Sequence, residues 1–261
     1  MPAGTYYLTV TDQGYCMVTG EGTITDSSNP EIFLSLSGID VLCHGENTGS
    51  ATATVSGGTP GYTYIWDPSG TITSTANDLY AGWHTVTITD NIGCEKTDSI
   101  FIDEPATYVS TTVTGTNISC NSGNDGTIDL TVDGGTPGYT YSWNNGSHSE
   151  DQSDLYAGWY FVTITDANGC PTIDSIELTE PDSLLANIIV TDVSCFGETD
   201  GAADLTITGG TPPYNNIWSN GSTDEDISNL AGGPYTVTVT DALNCETIED
   251  IFIIQPDAPL T

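Results

Sequence analysis

The sequence predicts an all-β fold: a tandem array of small immunoglobulin-like antiparallel β-sandwich domains. Two observations carry that expectation. One is repetition: Gly57-Gly58-Thr59-Pro60-Gly61-Tyr62-Thr63-Tyr64-Ile65-Trp66 recurs at Gly134 to Trp143 and, altered, at Gly209 to Trp218, with the Trp positions 77 and 75 residues apart. A period of this size marks one structural unit copied in series. The other is an apolar period of two, as in Tyr235-Thr236-Val237-Thr238-Val239-Thr240, which is the pattern of a half-buried strand and not of a helix.

Taken in order, residues 1–31 read as the C-terminal part of a truncated unit, followed by complete units at 32–107, 108–183 and 184–261. The joints are placed at Pro30, Pro105, Pro181 and Pro256, which recur at steps of 75, 76 and 75 residues in polar runs. In the third unit strands are expected near 186–194, 202–208, 214–219, 226–230, 234–240 and 246–254. Alternation in Tyr62, Tyr64 and Trp66, and in their counterparts, makes Trp66, Trp143 and Trp218 the core aromatics, facing the Val and Ile side chains of a later strand. His84 stands where other units have Tyr6, Tyr160 and Tyr235, and reads as an aromatic substitute at the core edge. Asp125-Gly126, Asp200-Gly201, Asn145-Gly146, Asn168-Gly169 and Asn220-Gly221 are expected to supply the left-handed positions of tight hairpins. Six strands per unit would put both ends at one pole, and a seventh would put them at opposite poles.

The formal net charge of −35 comes from 36 acidic residues against a single cation, Lys96. Without a basic patch, binding to nucleic acid or to anionic lipid is disfavoured. Unneutralised carboxylates suit a soluble surface, high ionic strength or divalent cations. No run of 18 apolar residues is present, so no membrane-spanning helix is expected. Residues 1–15 lack the charged and apolar regions of a signal peptide, and Met1 is followed at once by mid-repeat sequence, as expected of a segment of something longer.

Seven cysteines track the repeat, at 16, 43, 94, 120, 170, 195 and 245. Pairing within units joins Cys43 to Cys94, Cys120 to Cys170 and Cys195 to Cys245, leaving Cys16 unpaired. Pairing across joints joins 16 to 43, 94 to 120 and 170 to 195. The first is favoured, because each small domain then carries its own staple, with a loop of about 50 residues contributing roughly 4 kcal/mol in the chain-entropy account. Zinc competes, but there is no Cys-x-x-Cys and the histidines do not follow the repeat. Disulfides place the chain outside the cytoplasm.

Catalytic signatures are absent: no nucleophile elbow, no phosphate loop before a helix, no His-Glu-x-x-His. No cofactor is expected, with calcium the one candidate ion. Glu46, Asn124, Asp125, Glu198 and Asp200, in glycine-containing turns after the first cysteine of each unit, carry the oxygen ligands a hard cation takes, though an ordinary turn explains the same letters. Tyr80, Trp83, Tyr156 and Trp159, at the entrance to a strand, could stack on a sugar ring or pack on a neighbouring domain. Sequons occur at Asn117, Asn145 and Asn220.

The set Gly-Gly-Thr-Pro-Pro-Tyr, Trp-Ser-Asn-Gly and Tyr-Thr-Val-Thr-Val-Thr-Asp-Ala-Leu-Asn-Cys at 209–245, with two close copies, resembles the SprB repeat of giant cell-surface adhesins. That resemblance implies an extracellular, cell-surface location, export through a type IX secretion system, display as a stalk or filament, and for some members a role in gliding. It brings no catalytic residues. The partners expected are neighbouring repeats of the same chain or filament, from the short joints, and surface polysaccharide, from the aromatics. Self-assembly by strand addition at residues 1–31 is a further expectation.

Overall fold

The computed structural model describes residues 4–24 and 30–257. The chain divides into two compact units, Met1–Tyr108 and Val109–Thr261. All regular elements among the described residues are strands, and all their pairings are antiparallel.

The first unit opens with a hairpin of β1 (Gly4–Thr11) and β2 (Met17–Ile24), both exposed along their whole length. A six-stranded sandwich follows: β3 (Ile32–Ile39), β4 (Gly49–Gly57), β5 (Thr63–Asp67), β6 (Thr75–Leu79), β7 (Gly82–Thr89) and β8 (Glu95–Ile102). Its two sheets have the orders β3-β4-β6 and β5-β7-β8. The second unit holds two more sandwiches of the same plan. One comprises β9 (Ser110–Thr116), β10 (Gly126–Asp133), β11 (Thr140–Trp143), β12 (Gln152–Leu155), β13 (Gly158–Thr165) and β14 (Pro171–Leu178). The other comprises β15 (Leu185–Thr191), β16 (Gly201–Thr208), β17 (Asn215–Trp218), β18 (Ile227–Leu230), β19 (Gly233–Thr240) and β20 (Glu246–Ile253).

The alternating pattern forms these strands because it gives each sheet one apolar face. In β10, Ile128 and Leu130 are buried while Thr127, Asp129 and Thr131 are exposed. Facing them, Val162 and Ile164 of β13 close the core around Trp143. Full burial of one such aliphatic side chain contributes about 1.5–3 kcal/mol. Trp66, Trp143 and Trp218 are 1%, 3% and 1% exposed, and each indole N–H donates to a carbonyl six or seven residues on, those of Thr73, Ser149 and Asp224. His84 is buried, and its Nε2 lies 2.9 Å from the Tyr80 carbonyl. Tyr160 and Tyr235 donate to the corresponding carbonyls, of Tyr156 and Ala231, so the imidazole takes over the phenol's anchor.

Six strands nevertheless put the two ends of a sandwich at opposite poles, against the parity expectation. β9 ascends and β10 descends, as their register shows. β11 then ascends beside β13 in one sheet, while β12 ascends beside β10 in the other. Two successive strands thus run the same way, separated by a crossover. With β13 descending and β14 ascending, the chain enters at a proximal pole and leaves at a distal one. The sheet orders correspond to an immunoglobulin-type sandwich in which the fourth strand is missing.

Two Asp-Gly steps differ from expectation. Gly146, Gly169 and Gly221 adopt the left-handed φ of hairpin turns, 86°, 87° and 89°. Gly126 and Gly201 instead begin strands β10 and β16. They are crowded positions: a Cβ on either would lie 2.9 Å from the carbonyl oxygen of Leu155 or Leu230. Close packing explains those glycines, not turn conformation.

Candidate functional site

The repeated Gly-Gly-Thr-Pro corner lies at the proximal pole of each sandwich. In the third, Gly209 and Gly210 both have positive φ, and a Cβ on Gly209 would fall 2.0 Å from the Ser183 carbonyl oxygen. Only glycine permits so close a passage of two backbone segments. The Tyr214 hydroxyl donates back to the Gly209 carbonyl at 2.6 Å, as Tyr139 does to Gly134.

A buried aspartate ties this corner to the neighbouring hairpin turn. Asp241 Oδ2 accepts the Thr211 N–H at 2.8 Å, while its Oδ1 accepts the N–H groups of Leu243 and Cys245, both at 2.9 Å. Asp166 does the same for Thr136, Asn168 and Cys170, and Asp90 for Thr59, Ile92 and Cys94. Burial alone would raise the pKa of Asp166 and Asp241, but the converging backbone N–H donors outweigh it and hold both carboxyls below the ordinary range. Sequence reasoning gave these residues no role. The available signal was the spacing Asp-x-x-x-Cys, which occurs at Asp12–Cys16, Asp90–Cys94, Asp166–Cys170 and Asp241–Cys245.

The distal pole is built by the loop after the first strand. In the second sandwich Ile118 N–H donates to the Thr179 carbonyl, Ser119 N–H to Asp125 Oδ1, and Gly123 N–H to the Cys120 carbonyl. Ser122 N–H and the Asn121 side chain donate to Glu180 beside the exit strand, and Asn121 also reaches the Pro181 carbonyl at 3.1 Å. The next sandwich meets this pole: Cys245 Sγ lies 3.3 Å from the Ser119 carbonyl oxygen. Across that joint Cys120 and Cys245 form a disulfide, with Cα atoms 5.6 Å apart and a sequence separation of 125.

This bond corrects the expected pairings of Cys120 with Cys170 and of Cys195 with Cys245. The reason is polar separation. Cys120 sits at the distal pole, whereas Cys170 lies in the β13–β14 turn at the proximal pole, where Asp166 N–H donates to its carbonyl. Strands of eight residues put those poles roughly 26 Å apart, far beyond the separation of less than about 7 Å between Cα atoms that a disulfide spans. Cys43 and Cys94 occupy the same two poles of the first sandwich, with Val41 N–H bonded to Asp103 and Asp90 N–H to the Cys94 carbonyl, so a 43–94 bond fails for the same reason. Cys43 and Cys170 each take part in a disulfide, and Cys16 and Cys195 are exposed thiols. Neither regular pairing considered from sequence anticipated a bond from the distal pole of one repeat to the proximal turn of the next.

The remaining candidates fall into two groups. Of the candidate ion ligands, Asp125 and Asp200 each spend a carboxylate oxygen on a local backbone donor, Ser119 or Ser194, at 3.0 Å. The Ser119 and Ser194 hydrogen bonds, side chain before backbone, hold those carboxyls below the ordinary range. Glu46, Asn124 and Glu198 are exposed on the same loops. No cluster of three or more His, Cys, Asp or Glu suited to a metal occurs among the described residues. The candidate stacking aromatics Tyr80, Trp83, Tyr156 and Trp159 are all exposed, by 61%, 67%, 61% and 53%. Trp83 meets Phe101 edge-on at 5.4 Å, whereas Trp159 stacks with Phe161 at 6.0 Å and 19°. Asn145 and Asn220 form side-chain turns with Ser147 and Ser222, and Asn117 accepts the Thr179 N–H.

Fold and joint together define a class: serially repeated β-sandwiches, with the two of the second unit linked pole to pole. The SprB repeat family model matches residues 39–71, 112–148 and 187–223, one match in each sandwich. Among solved structures, the chain is similar to the N-terminal eight Ig domains of Down Syndrome Cell Adhesion Molecule isoform 1.30.30, at 10% identity and a TM-score of 0.39. That match covers 98% of this chain but 47% of the other, so the chain spans about half its length. A tetra-tandem repeat in the extending region of a large adhesion protein matches at 15% identity and a TM-score of 0.28, covering 97% of this chain and 81% of that one. Extracellular cadherin domains 1–4 of Protocadherin Gamma B7 match at 13% identity and a TM-score of 0.32, covering 97% and 71%. Scores of this size carry no inference about what this chain binds. No curated protein matches the chain.

Proposed function

We propose that the chain is a stretch of stalk from a long extracellular surface adhesin or filament, without enzymatic activity, divided into a partial repeat at 1–31 and full repeats at 32–107, 108–183 and 184–261. The observation that carries this reading is the joint in the second unit, where opposite-pole connectivity and the Cys120–Cys245 bond make one repeat a covalent continuation of the next. A disulfide suits an oxidising location outside the cell, and no described helix is long and apolar enough to cross a membrane, which does not bear on β-barrels. Surface attachment and gliding are the roles such a stalk would serve. Small-angle scattering tests the reading. Three sandwiches in series reach on the order of 100 Å, and a maximum dimension near that of a compact 261-residue globule would defeat it.

A second reading rests on the exposed aromatics. Tyr80, Trp83, Tyr156 and Trp159 are exposed near two strand entrances, and would hold polysaccharide by stacking. The third repeat has Gly232-Gly233-Pro234 there, so binding would belong to the first two. Polysaccharide pull-down with Trp83→Ala and Trp159→Ala decides it, since a plain spacer has no binding to lose. Calcium has less support, because Asp125 and Asp200 are already engaged. Strand addition at β1–β2 is supported by exposure of both faces of that hairpin. Unchanged mass in light scattering on removal of residues 1–31 would end it.

A further inference from the structure

We propose that Cys195 is the distal half of another inter-repeat disulfide, completed by the hairpin-turn cysteine of a further repeat docked on the distal pole of the third sandwich. The inference rests on the stalk reading and extends it to a covalent site. Its basis is the match between two poles. At the bonded pole, Ile118 N–H donates to the Thr179 carbonyl, Ser119 N–H to Asp125, and a loop N–H to the Cys120 carbonyl. At the open pole, Val193 N–H donates to the Ile254 carbonyl at 3.0 Å, Ser194 N–H to Asp200 Oδ1 at 3.0 Å, and Glu198 N–H to the Cys195 carbonyl at 3.2 Å. The backbone therefore presents Cys195 as it presents Cys120, which is already bonded to a following repeat. Cys195 is exposed, and the adjacent Phe196 leaves 47% of its surface to solvent on the same loop.

The partner is identified by its chemistry: a β-sandwich repeat whose proximal turn holds a cysteine through an Asp-x-x-x-Cys turn, as Asp241 holds Cys245. Bond formation needs a disulfide oxidant. The Cys195 thiolate attacks the oxidant's disulfide and releases one of its thiols. The partner thiolate then attacks the Cys195 sulfur of the mixed disulfide, releasing the second. Two protein thiols lose two electrons and two protons, and the oxidant's disulfide is reduced to two thiols.

The test uses the full chain extended by a second copy of residues 183–261 placed directly after Asp257, a joint spaced as the one at Asp182. After oxidation with oxidised glutathione, alkylation with iodoacetamide and digestion without reduction, the expected product is a peptide linking Cys195 to the added copy's equivalent of Cys245. In the extended chain carrying Cys195→Ser, that added cysteine should become alkylated while the Cys120–Cys245 peptide persists as a check on folding. Alkylation of Cys195 to the same extent as in the unextended chain, or its linkage to native Cys245, would overturn the proposal. Scattering on the same samples separates the two claims. A chain that lengthens by one repeat while Cys195 stays alkylated sinks the disulfide alone, and a chain that does not lengthen sinks the stalk reading as well.

Discussion

The Cys120–Cys245 bond should remove most of the second unit from the path of a pulling force. Consider handles fixed at positions 109 and 261 of the full chain. With the bond intact, tension runs through the 11 residues that precede Cys120, crosses the disulfide, and continues through the 16 that follow Cys245. At roughly 3.5 Å per extended residue those arms pay out only about 95 Å, whereas the unbridged segment pays out about 530 Å. Single-molecule force spectroscopy should therefore show a contour length about 430 Å shorter in oxidised protein than in the Cys120→Ser, Cys245→Ser variant. Dithiothreitol should convert the first record into the second. Equal contour lengths would refute the reasoning, because a force-bearing bond between cysteines 125 positions apart cannot leave the extension unchanged. The same loop closure stabilises the paired repeats by about 5 kcal/mol in the chain-entropy account.

Other expectations follow from buried polar groups. Asn216 replaces the Tyr64 and Tyr141 of the other repeats, is 8% exposed, and its Oδ1 has no hydrogen-bond partner. Asn216→Tyr should stabilise the third sandwich by about 1–2 kcal/mol in urea unfolding, by removing an unsatisfied amide and restoring an aromatic. Its hydroxyl would then take the place of that of Tyr141, whose pKa is pushed up to about 12 by burial and by Glu150. Asp166 and Asp241 titrate below the ordinary range when folded. Their contribution is present above the unfolded value near 3.9 and is lost as pH falls through the lower folded values. The melting temperature of the chain should hold steady above about pH 5 and drop below about pH 4. Asp166→Asn with Asp241→Asn should lower the plateau and flatten that drop, and an unchanged acid limb would remove these carboxylates from the account.

Much of the sandwich was legible because it is local. The alternation in Tyr235 to Thr240 and its copies located strands to within a few residues: β15 to β20 lie within three residues of the expected boundaries at every end. Trp66, Trp143 and Trp218 were readable as core because each closes an alternating aromatic strand. The joint was not legible, because it depends on direction. Cysteine spacing alone does not say which pole a residue occupies, and parity fails where β11 and β12 run the same way through a crossover. Had that crossover been assigned, Cys120 would have fallen at the distal pole and Cys245 at the proximal turn, leaving the observed pair as the natural contact. Asp241 was missed for a different reason. A Thr-Asp ending to a strand looks like a solvated turn, and only the tertiary approach of the Gly209-Gly210 corner buries it.

The joint depends on which cysteine meets Cys120. Peptide mapping of the chain by mass spectrometry, after blocking thiols and without reduction, answers that directly. A peptide joining Cys120 to Cys245, with Cys195 carrying the blocking group, is the expected result. Peptides joining Cys120 to Cys170 and Cys195 to Cys245 would contradict the pole-to-pole joint and the stalk built on it.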